Sequence, residues 1–414
     1  MATNPLTTAA TPEQAPARYH HPMDIYLVGG AVRDTLLGRP VSERDWVVVG
    51  ADPATLSALG YRQVGKDFPV FLHPQTHEEY ALARTERKVA PGYHGFVTHH
   101  APEVTLEQDL ARRDLTINAM AQAADGTLVD PYGGQRDLKA RLLRHVSPAF
   151  SEDPLRLLRV ARFAARYAPL GFTVATETRR LMRDMVTAGE AASLVAERIW
   201  QETVRALAEP SPRTYFEVLR DCGALTVLLP ELEMSEQRLR GLDAAAAIAA
   251  STRVRFAVLL RELGTDLTPL EKPPLPIANE AYGVAVVHAV CDRWRVPTDF
   301  RELAELVCRE HLRVHHALEL PPATVLELLE TCDAFRRRER FAELLEACEA
   351  GHPEQLGLET LPYPQSTLLT AAFAAAAAVQ LTATDRTGLA GPAIGLLLRE
   401  RRLAALTRWR PTFT

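Results

Sequence analysis

Ile25-Tyr26-Leu27-Val28-Gly29-Gly30-Ala31-Val32-Arg33-Asp34 passes from an apolar run through two bare glycines to a cationic residue. Ile25 to Val28 reads as a short buried strand. Gly29 and Gly30 carry no Cβ, so the chain bends sharply there and a ligand can approach the amides closely. Ala31 to Leu37 continues as a helix, closed by Gly38 with Pro40 just beyond. A helix N-terminus beside bare glycine amides suits a phosphate. Glu43-Arg44-Asp45 then leads into a second apolar strand, Trp46 to Val49. Residues two apart on an extended chain share a face, so both carboxylates look toward whatever the glycine turn holds. A Gly-Gly turn alone is more often architecture than function. The ordered set of phosphate donors, Arg33 and two same-face carboxylates instead points to metal-assisted phosphoryl transfer.

Gly-Gly-x-x-Arg-Asp followed by a spaced carboxylate pair resembles the class II tRNA nucleotidyltransferases, which comprise CCA-adding enzymes and bacterial poly(A) polymerases. Where that family carries Asp-x-Asp, the first position here is Glu43.

At 414 residues the chain is long enough for two to four domains, and 47% apolar with 24% charged residues is ordinary for a globular protein. A formal charge of −5 excludes a generally basic nucleic-acid coat, so RNA contacts must come from local arginine clusters. Cys222, Cys291, Cys308, Cys332 and Cys348 form no C-x-x-C pair, which points to reduced thiols in the cytoplasm. The most apolar run, Leu368 to Leu381, is mostly alanine and too short to span a membrane. Residues 1–22 lack a signal-peptide core and read as a disordered extension.

Farther on, Pro69 to His73 and Glu79 to Arg84 alternate as two strands around Pro74-Gln75-Thr76-His77. His73 and His77 read as solvated, because a strand turn does not give the geometry for a shared metal. Val89 to Pro102, with Pro, Gly and three histidines, reads as a mobile loop. Thr105-x-x-Gln108 is a capping-box start to a helix through Asp114. Leu115 to Ala119 is expected to enter a strand, and Asp125-Gly126 reads as a hairpin turn. From Asp137 onward helical patterns follow one another, and no further strand is expected. Arg112-Arg113-Asp114-Leu115-Thr116-Ile117-Asn118-Ala119 matches a string of the same family, which implies that Arg113 touches the triphosphate. The resemblance also makes Glu79 a plausible third carboxylate, Val89 to Pro102 a loop assisting the switch from C to A, and Asp130-Pro131-Tyr132-Gly133-Gly134 a hinge.

The second informative stretch is Ser151-Glu152-Asp153-Pro154-Leu155-Arg156-Leu157-Leu158-Arg159-Val160-Ala161-Arg162-Phe163-Ala164-Ala165-Arg166. Asp153 before Pro154 starts a helix. At about 100° per residue, Arg156, Arg159, Arg162 and Arg166 fall within roughly a third of the circumference. Such a stripe is ordinarily a solvated face, but this one holds no interleaved Glu to neutralise it. A template-free polymerase must read base edges itself. A carboxylate accepts from the exocyclic amine of C or A while an arginine donates to the neighbouring ring nitrogen. In the resemblance Asp153 and Arg156 read the base, and Arg159 and Arg162 bind or stack on the nucleotide. Glu197-Arg198-Ile199 is similar to a supporting motif, although Val195 replaces its small hydroxyl residue.

The expected fold is α+β. A nucleotidyltransferase head with a mixed sheet (residues 23–137) precedes a helical neck (138–225) and a helical body and tail (226–414). The implied activity is addition of C, C and A to the tRNA 3′ end from CTP and ATP, with no DNA or membrane partner. In it Glu43 and Asp45 hold two Mg²⁺ ions, one activating the 3′-hydroxyl and one clamping the triphosphate. Gly30, Arg33 and Arg113 bind phosphates. A poly(A) polymerase, a CC-only enzyme and an inactive RNA-binding protein stand as alternatives, the first disfavoured by the lack of a long basic C-terminal extension. Some family members carry a metal phosphohydrolase in the C-terminal half, marked by an adjacent His-Asp pair. Here Arg261 and Glu262 occupy that frame, Thr265 replaces a lysine, and Ala278 to Tyr282 replaces a His-rich turn. His288 and His311 remain, two scattered histidines that read as structural.

Overall fold

A computed structural model describes residues 23–64, 70–88, 96–263, 276–352 and 362–409. The disordered extension expected before Met23 lies outside them, as do residues 89–95 of the expected mobile loop and Thr265. The chain divides into two compact units. The first holds the described residues up to Arg113 together with Asn118–Gly134, and the second holds Asp114–Ile117 and the described residues from Gln135 on.

The first unit is built on a seven-stranded sheet. Its strands are β1 (Asp24–Val28), β2 (Asp45–Val49), β3 (Arg62–Val64), β4 (Val70–Leu72), β5 (Glu79–Leu82), β8 (Ala121–Ala123) and β9 (Leu128–Val129), ordered β3-β4-β5-β2-β1-β8-β9. Only β2 and β5 pair in parallel; the other neighbours are antiparallel. Val47 and Val48 of β2 are both buried, as a central strand covered on two faces requires. Val48 packs with Leu56, Phe71, Tyr80 and Leu82, beneath a Trp46–Tyr80 stack with centroids 5.5 Å apart. Helix α1 (Gly30–Leu36) follows the glycine turn, α2 (Pro53–Ala58) starts on an Asp52 cap, and α3 (Leu106–Ala111) opens with the expected Thr105–Gln108 capping box.

Three expectations are corrected. Phe96–His100, expected within a loop, is strand β7, paired antiparallel with β6 (Arg84–Lys88) from Arg84–His100 to Lys88–Phe96. The loop reading rested on Pro, Gly and His composition, whereas the paired partner lies upstream and supplies the pattern. Leu115 to Ala119 is no strand: Thr116–Asn118 forms a 3₁₀ turn. Leu115, Ile117 and Ala119 are fully buried, which imitates strand alternation, but the residues between them bond to distant side chains instead of a ladder. Helix α3 accordingly ends at Ala111, short of Asp114.

The second unit opens on α4 (Gly134–Ala140) and is mainly helical. Strands β10 (Leu142–Leu143) and β11 (Thr173–Val174) nevertheless pair in parallel, where no strand was expected. Two residues each are too few to register as a period. Helix α5 (Leu155–Tyr167) packs against α7 (Ala196–Ala208) and α8 (Pro212–Asp221), while α6 (Thr176–Thr187) follows β11. Beyond α9 (Ala224–Leu228) and α10 (Glu236–Ala247), α11 (Thr252–Leu260) is buried from Val254 to Leu260 beneath helices Thr298–His315 and Arg338–Ala350. No helix is long and apolar enough to cross a membrane among the described residues.

Candidate active site

The register of β1 on β2 places Val28 opposite Asp45, so the Gly29-Gly30 turn begins beside the second carboxylate of the pair. Gly29 has φ +67°, and a Cβ there would lie 2.8 Å from Nη1 of Arg113, so no other residue fits without displacing that guanidinium. Arg113 donates to the Asn118 carbonyl at 3.4 Å and to Asp109 at 3.2 Å. Asp109 is fully buried at the foot of this arrangement. Burial works to raise its pKa, but the Arg112 and Arg113 guanidiniums outweigh it and hold the carboxylate below its usual range. Arg33 is only 4% exposed. It donates through Nε and Nη2 to Asp34, at 2.9 and 2.8 Å, and through Nη1 to Asn118 Oδ1 at 2.5 Å. Both predicted phosphate arginines thus converge on the glycine turn, Arg33 from a deeper and more committed position.

Glu43 and Asp45 are both exposed. Partial burial of the carboxylate raises the Asp45 pKa; Arg113 pulls it down and the charge on Glu43 pushes it up again. A cation relieves the repulsion that the Glu43 charge exerts on Asp45, and oxygen donors of this kind suit a hard divalent ion. The donor set therefore fits a divalent metal. Glu79 is the register partner of Asp45 on the adjacent parallel strand. Among the described residues, however, no group of three or more His, Cys, Asp or Glu is placed to hold a metal, so Glu43, Asp45 and Glu79 do not stand as a ready three-carboxylate cage. Half-buried His73 bonds its own turn, its Nδ1 accepting from the Gln75 and Thr76 amides.

In the second unit α5 carries the arginine stripe, and here the sequence expectation of an un-neutralised face is overturned. Arg159 is clamped by Asp114 at 2.7 Å, and that carboxylate raises its pKa against the effect of burial. Arg162, 7% exposed, donates to Glu202 at 2.6 Å, and Arg166 reaches both oxygens of Glu209 at 3.0 Å. Arg156 donates to the Ala149 carbonyl at 2.6 Å. Asp153 accepts from the Leu155 amide, capping the helix start, and from both Nη atoms of Arg198 at 3.2 and 3.3 Å. The neutralising carboxylates come from α7, its C-terminal flank and Asp114 just before the 3₁₀ turn, so inspection of α5 alone does not find them. Arg198 braces α5 as the supporting motif implies, and Val195 gives α7 no side-chain cap. Asp109, Asp114, Asn118 and Glu202 were not singled out from the sequence. Two stand inside the quoted Arg112–Ala119 string, but no periodicity marks a side chain whose job is to hold another.

The Arg261-Glu262 frame compared above with a phosphohydrolase motif holds no adjacent His-Asp pair. Arg261 is buried, donating to the Gly351 carbonyl and, at 2.6 Å, to Glu262; a Cβ on Gly351 would collide with its guanidinium. His311 is buried with Nδ1 against the Val307 and Cys308 carbonyls, and burial, aided by Arg261, lowers its pKa to about 4. His288 lies at the surface against Glu305 and Asp292. Ala278 to Tyr282 lies within a helix, Pro276–Arg293. With a fixed guanidinium at the frame and its histidines engaged elsewhere, the purified protein is expected to show no phosphatase or 2′,3′-cyclic phosphodiesterase activity with added Ni²⁺ or Mn²⁺. Activity lost on mutating His288 or His311 would disprove this.

Residues 25–144 match the poly A polymerase head domain, and residues 171–235 match a probable RNA and SrmB-binding site of polymerase A. The chain is 58% identical over 400 residues to the multifunctional CCA protein of Thioalkalivibrio sulfidiphilus, covering 93% of this chain and 98% of that one. It is 56% identical to the multifunctional CCA protein of Alkalilimnicola ehrlichii, covering 93% and 97%. Among solved structures, a CCA-adding enzyme in an apo form superposes with TM-score 0.68 at 21% identity, covering 95% of this chain and 89% of that one. The Thermotoga maritima CCA-adding enzyme complexed with tRNA gives 0.64 at 20%, covering 94% and 89%. At such identities these likenesses bear on the fold, whereas the curated relatives match almost end to end. The head sheet, its glycine turn and the helical second unit are those of one family, and the chain belongs to it: the multifunctional CCA proteins, CCA-adding tRNA nucleotidyltransferases with a poly(A) polymerase head.

Proposed function

We infer that this protein adds C, C and A in turn to the 3′ end of tRNA, from CTP and ATP and without a template. The observation that carries the reading is the register placing the Gly29-Gly30 turn beside Asp45, which brings phosphate donors and a carboxylate pair together at one strand end. The names of the relatives agree, and solved CCA-adding enzymes of the same fold are described in complexes with CTP, ATP and tRNA. The turn amides, Arg113 and, on exchange of its Asp34 contact, Arg33 hold the triphosphate. Glu43 and Asp45 are the residues to hold the divalent ions, which we take to be Mg²⁺. When bound, these ions lower the pKa of the tRNA 3′-hydroxyl and neutralise the departing pyrophosphate. Asp153 and Arg156 read the base, trading the partners that now hold them, Arg198 and the Ala149 carbonyl. Arg159 lies beside them; Arg162, buried on Glu202, acts by holding α5. Residues 138–225 serve as neck and 226–414 as the body and tail that grip tRNA. Five buried cysteines, none in a disulfide, suit the reducing cytoplasm.

The test is a tRNA lacking its 3′ end, supplied with each labelled nucleotide separately. Wild type is expected to add two C and one A. A-tracts alone would indicate a poly(A) polymerase, arrest after C a CC-adding enzyme, and no incorporation an inactive binder. Asp153→Ala and Arg156→Ala should admit U or G, with a smaller loss of triphosphate binding. Full selectivity in either variant would remove that residue from base reading.

A further inference from the structure

Helices α6 and α8 flank a cavity of about 150 Å³ in the second unit. From α6 it is lined by Arg179 and Arg183, one turn apart, and from α8 by Glu217 and Asp221, likewise one turn apart. Phe172 and Met182 give the cavity an apolar side. Arg183 donates to the Asp221 carbonyl at 3.1 Å, and Glu217 is approached by Arg213 at 3.2 Å. Arg179 and its exposed neighbour Arg180 have no ion pair with any described residue. They contrast with Arg159, Arg162 and Arg166 on α5, each held by a carboxylate.

The lining is selective. A bare phosphate chain is repelled by Glu217 and Asp221, and an aliphatic segment would cover Arg179 without offering it an acceptor. A flat ring whose edge offers a donor beside an acceptor satisfies both rows while its face covers the apolar side. Cytosine and adenine put a two-hydrogen exocyclic amine beside a ring nitrogen, enough to serve both Glu217 and Asp221, whereas uracil has only its single N3–H to donate. Unstacked bases are what proteins read in single-stranded RNA. Arg180 at the surface is available to the adjoining phosphate. The cavity also lies within residues 171–235, which match a model described as a probable RNA-binding site.

We propose that this cavity receives one unstacked C or A of the RNA partner and so contributes to gripping the tRNA. The proposal rests on the tRNA reading above. Its test uses the full-length protein with Arg179→Ala and, to fill the cavity, Val218→Phe. The quantities measured are KM for a tRNA lacking its 3′ end, KM for CTP, and anisotropy-monitored binding of rC, rA and rU octamers. Each variant is expected to raise the tRNA KM about fivefold, the lower range for one base-edge contact. The KM for CTP should not move, and the preference of wild type for rC and rA over rU should shrink by a similar factor. Arg179 is exposed and unpaired, so its removal leaves folding intact; an unchanged thermal midpoint checks this. If both variants keep the wild-type tRNA KM and octamer preference, the cavity is not an RNA site and is left to a protein partner. A wild-type protein that fails to extend tRNA would overturn the CCA reading instead, while loss of octamer preference in the variants would still support the cavity.

Discussion

Asp45→Ala is expected to lose CTP incorporation by at least about 10²–10³-fold, the loss that follows removal of one preorganised transition-state stabiliser. Asp45 is exposed at the start of β2, so the sheet should survive the change. Asp45→Asn keeps the shape without the charge and should fail to a similar degree. Burial raises the pKa of this carboxylate, so its metal-binding form is lost at a higher pH than for an ordinary aspartate. Activity should fall as pH drops through that raised value, and Asp45→Ala should erase the limb from any residual rate. Glu43 keeps the charge of the family's aspartate but reaches about one C–C bond, roughly 1.5 Å, farther. Glu43→Asp should therefore stay active while changing the relative rates in Mg²⁺ and Mn²⁺. An Asp45→Ala enzyme of wild-type rate would sink the metal assignment.

Glu202→Ala is expected to cost about 3–5 kcal/mol, because it strands the Arg162 guanidinium in the interior. The two side chains are 8% and 4% exposed and 2.6 Å apart, with Glu209 the next carboxylate, 3.7 Å from Arg162. The loss should appear as a large drop in the thermal midpoint of the second unit, with base selectivity degraded at temperatures the wild type tolerates. Replacing both partners, Arg162→Met with Glu202→Leu, removes the uncompensated charge and should recover most of the stability. That recovery separates a desolvation cost from a unique need for the ion pair. A Glu202→Ala protein melting with wild type would show that this pair does not secure α5 to α7.

The strand, glycine turn and helix from Asp24 to Leu36 were legible in the sequence because each is specified locally. A β-branched apolar run, a missing Cβ and helical spacing all act within a few residues. The capping box at Thr105, the Asp125-Gly126 turn between β8 and β9 and the α5 stripe were readable for the same reason. The strand at Phe96–His100 was not, because its partner is at Arg84–Lys88, and neither was the 3₁₀ turn at Thr116, whose hydroxyl is held by Asp137.

Which arginines are free to meet a nucleotide was decided by tertiary structure alone. Four residues on one helix face look equivalent in sequence. Arg162 is nonetheless buried on Glu202, Arg159 is clamped by Asp114, and Arg166 is shared with Glu209, while Arg156 is turned onto a backbone carbonyl. Helix periodicity specifies direction around one axis. The charge state and freedom of a side chain depend on groups brought in from distant parts of the chain, and a buried arginine must find such a partner or not be buried.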